Sequence, residues 1–190
     1  MEAGIQETQA VIVSDNVNNL LSAARGFARK LAVEPASIEQ SDYALSLADG
    51  LTDAEYVEIV GLVSRLTNID IVARGVGVEP ISLPKPATGK PSGERSAVAI
   101  EEGAWVATVP AGKRGGEAAK TLYGGAMMPF IIRALSLLPA ETRDHLELEQ
   151  AQYLPLHRFA EFEYQHHEGL TRPQVEVIAG RVSVLNDCFY

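Results

Sequence analysis

Apolar residues recur every three or four positions along NNLLSAARGFARKLA, at Leu20, Leu21, Ala24, Phe27, Ala28 and Leu31. That spacing predicts a helix with one buried face, ended by Pro35. Ser37, with Gln40 three residues on, is placed to cap a second helix running to Gly50. Thr52-Asp53-Ala54-Glu55 reads as a capping box, in which hydroxyl and carboxylate each satisfy an orphaned backbone N–H. It opens a long helix carrying Val57, Ile59, Val60, Val63 and Leu66, and the glycines and proline of ARGVGVEP end it.

The pattern then changes. Pro80, Pro84, Pro86, Pro91 and Pro110 punctuate residues 80–115, and ISLPKPATGKPSGERS reads as an extended linker. AVAIEEGAWVATV fits a short strand pair or a loop that packs Trp105 on a helix. Helical spacing returns over 116–190. EAAKTLYGG predicts a short helix, and MPFIIRALSLLP a longer one stopped by Pro139. ETRDHLELEQAQYL and PLHRFAEFEYQHHEGL continue the helical pattern. Thr171 and Gln174 form another capping box, with Pro173 tolerated in the first turn. Val175, Ile178, Ala179, Val182 and Leu185 then make one apolar stripe. The expected class is all-α, as helices in two blocks joined by a Pro/Gly-rich linker.

Composition narrows the partners. Hydrophobic residues make up 46% of the 190, enough for a packed core. A net charge of −9 argues against nucleic acid or an anionic membrane, because phosphate binding needs clustered Lys and Arg. MEAGIQETQA has no basic n-region and no apolar h-region, and no apolar run reaches the length of a membrane span. A cytoplasmic protein is expected. The single cysteine excludes an internal disulfide and an all-thiolate metal site.

Three motifs are better read as structure than as chemistry. TGKPSG and AGKRGG lack the Ser/Thr after Lys and the preceding strand of a phosphate loop, so they read as linker. RGVGVEP follows a helix rather than a strand and reads as a helix terminus. Glu163-x-x-His166 is half of a di-iron pattern, but a bridged site needs a second copy and two more carboxylates; a solvated helix face is the expectation. No cofactor or metal is expected.

Cys188 remains. On composition alone it is a small buried hydrophobe. Asn186-Asp187, poor inside a helix and good as caps, suggest that a new helix begins at Cys188. A cysteine in a first helical turn meets the positive end of the dipole, which favours thiolate.

LTRPQVEVIAGRVSVLNDCFY resembles the active-site approach of the AhpD-like alkylhydroperoxidase/carboxymuconolactone decarboxylase family. That pattern is a Glu, eleven residues, Cys-x-x-Cys and then a His; here eleven residues separate Glu176 from Cys188. AWVATVPAGKRGGEAAKTLYGGAMMPFIIRALSLLP is similar to the rest of the family's front half. LLSAARGFARKLAVEPASI and ADGLTDAEYVEIVGLVSRLTNIDIVARGVGVEP are similar to the helices that follow the cysteine motif. The resemblance implies three parts: residues 1–79 as the back half of one domain, 80–102 as linker, and 103–190 as the front half of another.

The halves stand in swapped order, and the chain stops one residue short of the second motif cysteine. A window cut from a tandem protein is the expectation, and a selenocysteine codon read as stop is one form of it; the codon after Tyr190 decides between them. The resemblance implies that the complete form is a thiol or selenol peroxidase or disulfide reductase, and that the chain as written, with a lone thiol, has little such activity. Glu176 would be the proton relay and Cys188 the resolving thiol, with a peroxide or disulfide substrate and a thiol reductant. In an unbroken helix the two residues would lie about 18 Å apart along the axis, so a bend or another subunit must join them. A homo-oligomer is expected. The alternatives are a non-catalytic helical oligomerisation module and a carboxymuconolactone-type decarboxylase.

Overall fold

The computed structural model describes residues 21–83, 85, 93–124, 128–185 and 188. The chain is all-α, with seven α-helices among these residues: α1 Leu21–Val33, α2 Gln40–Ala48, α3 Asp53–Gly75, α4 Gly116–Tyr123, α5 Phe130–Arg133, α6 Pro139–Gln152 and α7 Arg172–Leu185. Extended pairing among them is limited to an isolated antiparallel bridge between Ile100 and Thr108. Packing divides the chain into two compact units, Met1–Arg143 and Asp144–Tyr190, and the division falls within α6. No helix among the described residues is long and apolar enough to cross a membrane.

In the first unit, α1 buries Ala24, Phe27 and Ala28 as its periodicity predicts. The Phe27 ring stacks on Tyr56 of α3 with centroids 4.4 Å apart, and Tyr43 of α2 meets Tyr56 edge-on at 4.9 Å. Burial, with the nearby Asp42 charge, pushes the Tyr56 hydroxyl up to about 12. The α3 capping box forms as read: Glu55 N donates to Thr52 Oγ1 at 3.2 Å, and Thr52 N donates to Glu55 Oε2 at 2.8 Å. The α2 cap differs from expectation. Ser37 Oγ is spent on Glu34 O at 2.8 Å within the 3-10 turn Pro35–Ser37. Glu39 caps instead, its N donating to Asp42 Oδ2 at 2.7 Å.

The segment MPFIIRALSLLP does not form one long helix. Only Phe130–Arg133 is α-helical, and residues 134–137 are turns. Its polar groups are drawn into tertiary bonds. Ser136 Oγ donates to Arg133 O at 2.6 Å and accepts from Val109 N at 2.8 Å, while Ser96 N donates to Leu137 O at 2.8 Å. Pro139 therefore opens the next helix rather than ending this one, at a position where its missing N–H costs no bond.

Leu135, Leu137 and Leu138 pack with Ala54 and Val57 of α3, so the first sequence block and this segment share one core. Val109, Ala119, Leu122 and Tyr123 form a second cluster. Between them sits Arg133, whose side chain is 9% exposed. Its Nη1 donates to Glu102 Oε2 at 2.5 Å and reaches Thr108 Oγ1 and Val109 O at 3.3 Å each. Its Nε donates to Met128 O at 3.0 Å, and its guanidinium lies 4.4 Å from the Phe130 ring centroid. Glu102 also accepts from Arg114 Nη1 at 2.7 Å. Trp105, on the same loop as Glu102, is partly exposed.

Two substitutions test this arrangement. Arg133→Ala leaves Glu102 to Arg114 alone and strips the buried Thr108 and Val109 oxygens of a donor, and is expected to cost about 1–3 kcal/mol in urea denaturation. At Gly115 an added Cβ would lie 2.0 Å from Pro110 O, a backbone atom, so Gly115→Ala is expected to cost about 1–3 kcal/mol in the same assay.

Candidate functional site

Helix α7 carries Glu176, and its start is fixed by Thr171 and Gln174. Thr171 N donates to Gln174 Oε1 at 2.9 Å, and the Thr171 hydroxyl donates to the same oxygen at 3.0 Å. One turn before Glu176, Arg172 is 95% buried at its side chain. Its Nε donates to Glu176 Oε1, and its Nη2 donates to Phe159 O at 3.2 Å. The guanidinium also lies 5.5 Å from the Phe159 ring centroid and 6.0 Å from that of Tyr153. Tyr153 completes the cluster: its hydroxyl donates to Glu176 Oε1 at 2.6 Å.

Burial pushes the Glu176 carboxyl up. The Tyr153 hydroxyl and the Arg172 guanidinium outweigh it and hold the group below the usual carboxylate range. Tyr153 moves the other way, to about 12, because burial and the Glu176 carboxylate both disfavour its phenolate. The pair is therefore a carboxylate accepting from a protonated phenol at neutral pH. Both bonds fall on Oε1, and the Glu176 side chain is 41% exposed. An ionised, partly solvated carboxylate of this kind offers its second oxygen to solvent as a hydrogen-bond acceptor, and its lowered value makes it a weaker base than an ordinary carboxylate.

Cys188 is exposed and free. Its backbone N donates to Ser183 O at 2.9 Å, a bond that closes the carboxyl-terminal end of α7. It follows the negative end of that helix dipole, and the new helix expected to begin at Cys188 would run through residues outside those described. The expected caps, Asn186 and Asp187, lie outside the described residues. α7 is continuous from Arg172 to Leu185, and the seven steps from Glu176 to Ser183 alone rise about 10 Å. Within one chain, Glu176 and Cys188 are not brought together.

The apolar stripe of α7 also turns out differently. Val175 and Ala179 are half-buried, but Ile178, Val182 and Leu185 are 54%, 50% and 65% exposed, and Val177 beside them 73%. The Arg172–Glu176–Tyr153 anchor explains the rotation: it turns the face carrying Arg172, Val175, Glu176 and Ala179 inward.

PLHRFAEFEYQHHEGL is not a helix. It holds the 3-10 turn Leu156–Arg158 and a series of further turns, so Glu163 and His166 share no helix face. The histidines explain the path. His166 Nε2 bonds Gln150 O at 2.9 Å and His167 Nε2 bonds Tyr153 O at 3.0 Å, both at the carboxyl end of α6. A carbonyl can only accept, so each ring donates from Nε2. The chain must fold back on α6 to place both rings, and Gly169 at φ +81° supplies the return. No group of three or more metal-ligating side chains occurs among the described residues. AGKRGG forms the 3-10 turn Gly112–Gly115 that leads into α4, and TGKPSG lies outside the described residues apart from Gly93.

Compared with family models, with curated proteins and with solved structures, the chain matches none.

Sequence reasoning singled out Glu176 and missed the two residues that hold it. Arg172 was findable, since a basic residue four positions before a carboxylate is a helical pair. Tyr153 stands 23 residues from Glu176 and carries no local signal. Glu176 gives a pH prediction. Its folded value is lowered, so its contribution to stability is present above its ordinary value of 4.5 and lost as pH falls through the lowered one. Glu176→Gln is expected to flatten that part of the acid limb in urea midpoints taken between pH 7 and pH 3, with little change at neutral pH beyond a constant offset.

Proposed function

We propose that the chain is a thiol-dependent peroxidase or disulfide reductase of AhpD-like kind, with Cys188 as the exchanging thiol and Glu176 as the proton relay. The observation that supports this most is the placing of Glu176: a carboxylate fixed on one oxygen by Arg172 and Tyr153, with the rest of the side chain partly open to solvent. The exposure of Cys188 is consistent with exchange. Because Glu176 stands in the second turn of α7 and Cys188 lies beyond its carboxyl end, the relay of one copy serves the thiol of another. The resemblance makes Cys188 the resolving thiol, but as the single cysteine of the sequence it must itself meet the peroxide: its thiol takes one oxygen from a hydroperoxide, leaving an alcohol and a sulfenic acid. A small thiol condenses with the sulfenic acid, releasing water and forming a mixed disulfide. A second small thiol then frees Cys188 and leaves as the oxidised disulfide. With one cysteine per chain, turnover depends on that external thiol and is slow.

Hydroperoxide consumption in the presence of a small thiol tests the reading. Cys188→Ser is expected to abolish protein-dependent turnover, and Glu176→Gln to lower it by about 100-fold. Full turnover in Cys188→Ser removes Cys188 from the mechanism and ends the proposal.

The exposed face of α7 favours a second reading, a helical module that acts by association. Val177, Ile178, Val182 and Leu185 form an apolar surface whose burial is favourable. Light scattering across a concentration series is expected to show self-association that Ile178→Glu with Leu185→Glu removes. A chain that stays monomeric at all concentrations rejects this reading.

A further inference from the structure

The second unit holds a small cavity lined by Tyr153, Tyr164, His166, His167, Arg172 and Val175, among others. Its volume is about 10 Å³, which is close to the least space that admits one water molecule. One of its lining residues carries an unanswered polar group. Arg172 is 6% exposed, and its Nη1 is buried with no hydrogen-bond partner, although Nε and Nη2 are both used. A buried guanidinium N–H without an acceptor costs about 1–3 kcal/mol or more, so it is seldom left so. A second lining residue can supply the acceptor. His167 donates from Nε2 to Tyr153 O, and in that tautomer its Nδ1 accepts.

We propose that this cavity is a binding site for a single ordered water, which accepts from Arg172 Nη1 and donates to His167 Nδ1. Size excludes phosphate, sulfate and carboxylate ligands. Charge argues against a halide, because Glu176 already neutralises Arg172. The positive guanidinium argues against a metal cation. The water joins the first turn of α7 to the turns after α6, and so holds Arg172 in the position from which it orients Glu176. This inference rests on packing and hydrogen bonding, not on thiol chemistry, and stands or falls apart from it.

A crystal structure of the full chain, grown from bromide-containing solution and measured at the bromine absorption edge, tests it. The expected result is a density peak within hydrogen-bond distance of Arg172 Nη1 and His167 Nδ1 with no anomalous signal. An anomalous peak there makes the site an anion site and overturns the proposal, as does a cavity without density. In solution, oxygen-17 relaxation dispersion is expected to count one fewer long-lived water in His167→Leu than in the wild type. An unchanged count in a folded variant also overturns it.

Discussion

A buried guanidinium must have its hydrogen bonds answered, and the first unit is arranged around that demand at Arg133. Taking a charge from water costs several kcal/mol, and only a matched partner with further acceptors offsets it. Glu102, Thr108 and the carbonyls of Val109 and Met128 are those partners. Each comes from a segment with little regular structure. The ion pair and the Ser136 bonds thus give the stretch from Ser96 to Pro110 a fixed place that no sheet or helix supplies. The Arg133 hydrogen bond holds the Glu102 carboxyl below its usual range, against the effect of burial, and Arg114 adds to it.

The second unit repeats the device with a different outcome. Arg172 is buried to a similar degree, but its carboxylate partner reaches solvent. Glu102 is enclosed and structural; Glu176 is held on one oxygen and partly open. The same pair of residue types is a fastener in one place and an accessible carboxylate in the other, and exposure makes the difference.

What could be read in the sequence was local. The faces of α1 and α3, the Thr52 and Thr171 caps and the glycine ending of α3 all follow from spacing and capping chemistry within a few residues. The errors arose where distant partners took over. Ser136 and Leu137 spend hydrogen-bonding groups on Val109 and Ser96, so a helical apolar pattern became turns. His166 and His167 bind the carbonyls of Gln150 in α6 and of Tyr153 just after it, so another helical pattern became a fold-back. The α7 stripe was periodic as read, but the long-range bond from Tyr153 decided which face turned inward. At the candidate site, Glu176 was legible as a residue, and its environment was not.

Trp105 is the chain's single tryptophan, and it sits in the loop organised by Glu102 and Arg133. Indole emission therefore reports on the first unit alone. The second unit contributes helix through α7 and aromatic signal through Tyr153 and Tyr164, but no indole. Fluorescence consequently watches the first unit, and far-ultraviolet circular dichroism watches helix in both. The gap between their melting curves is a direct measure of how independently the two units unfold.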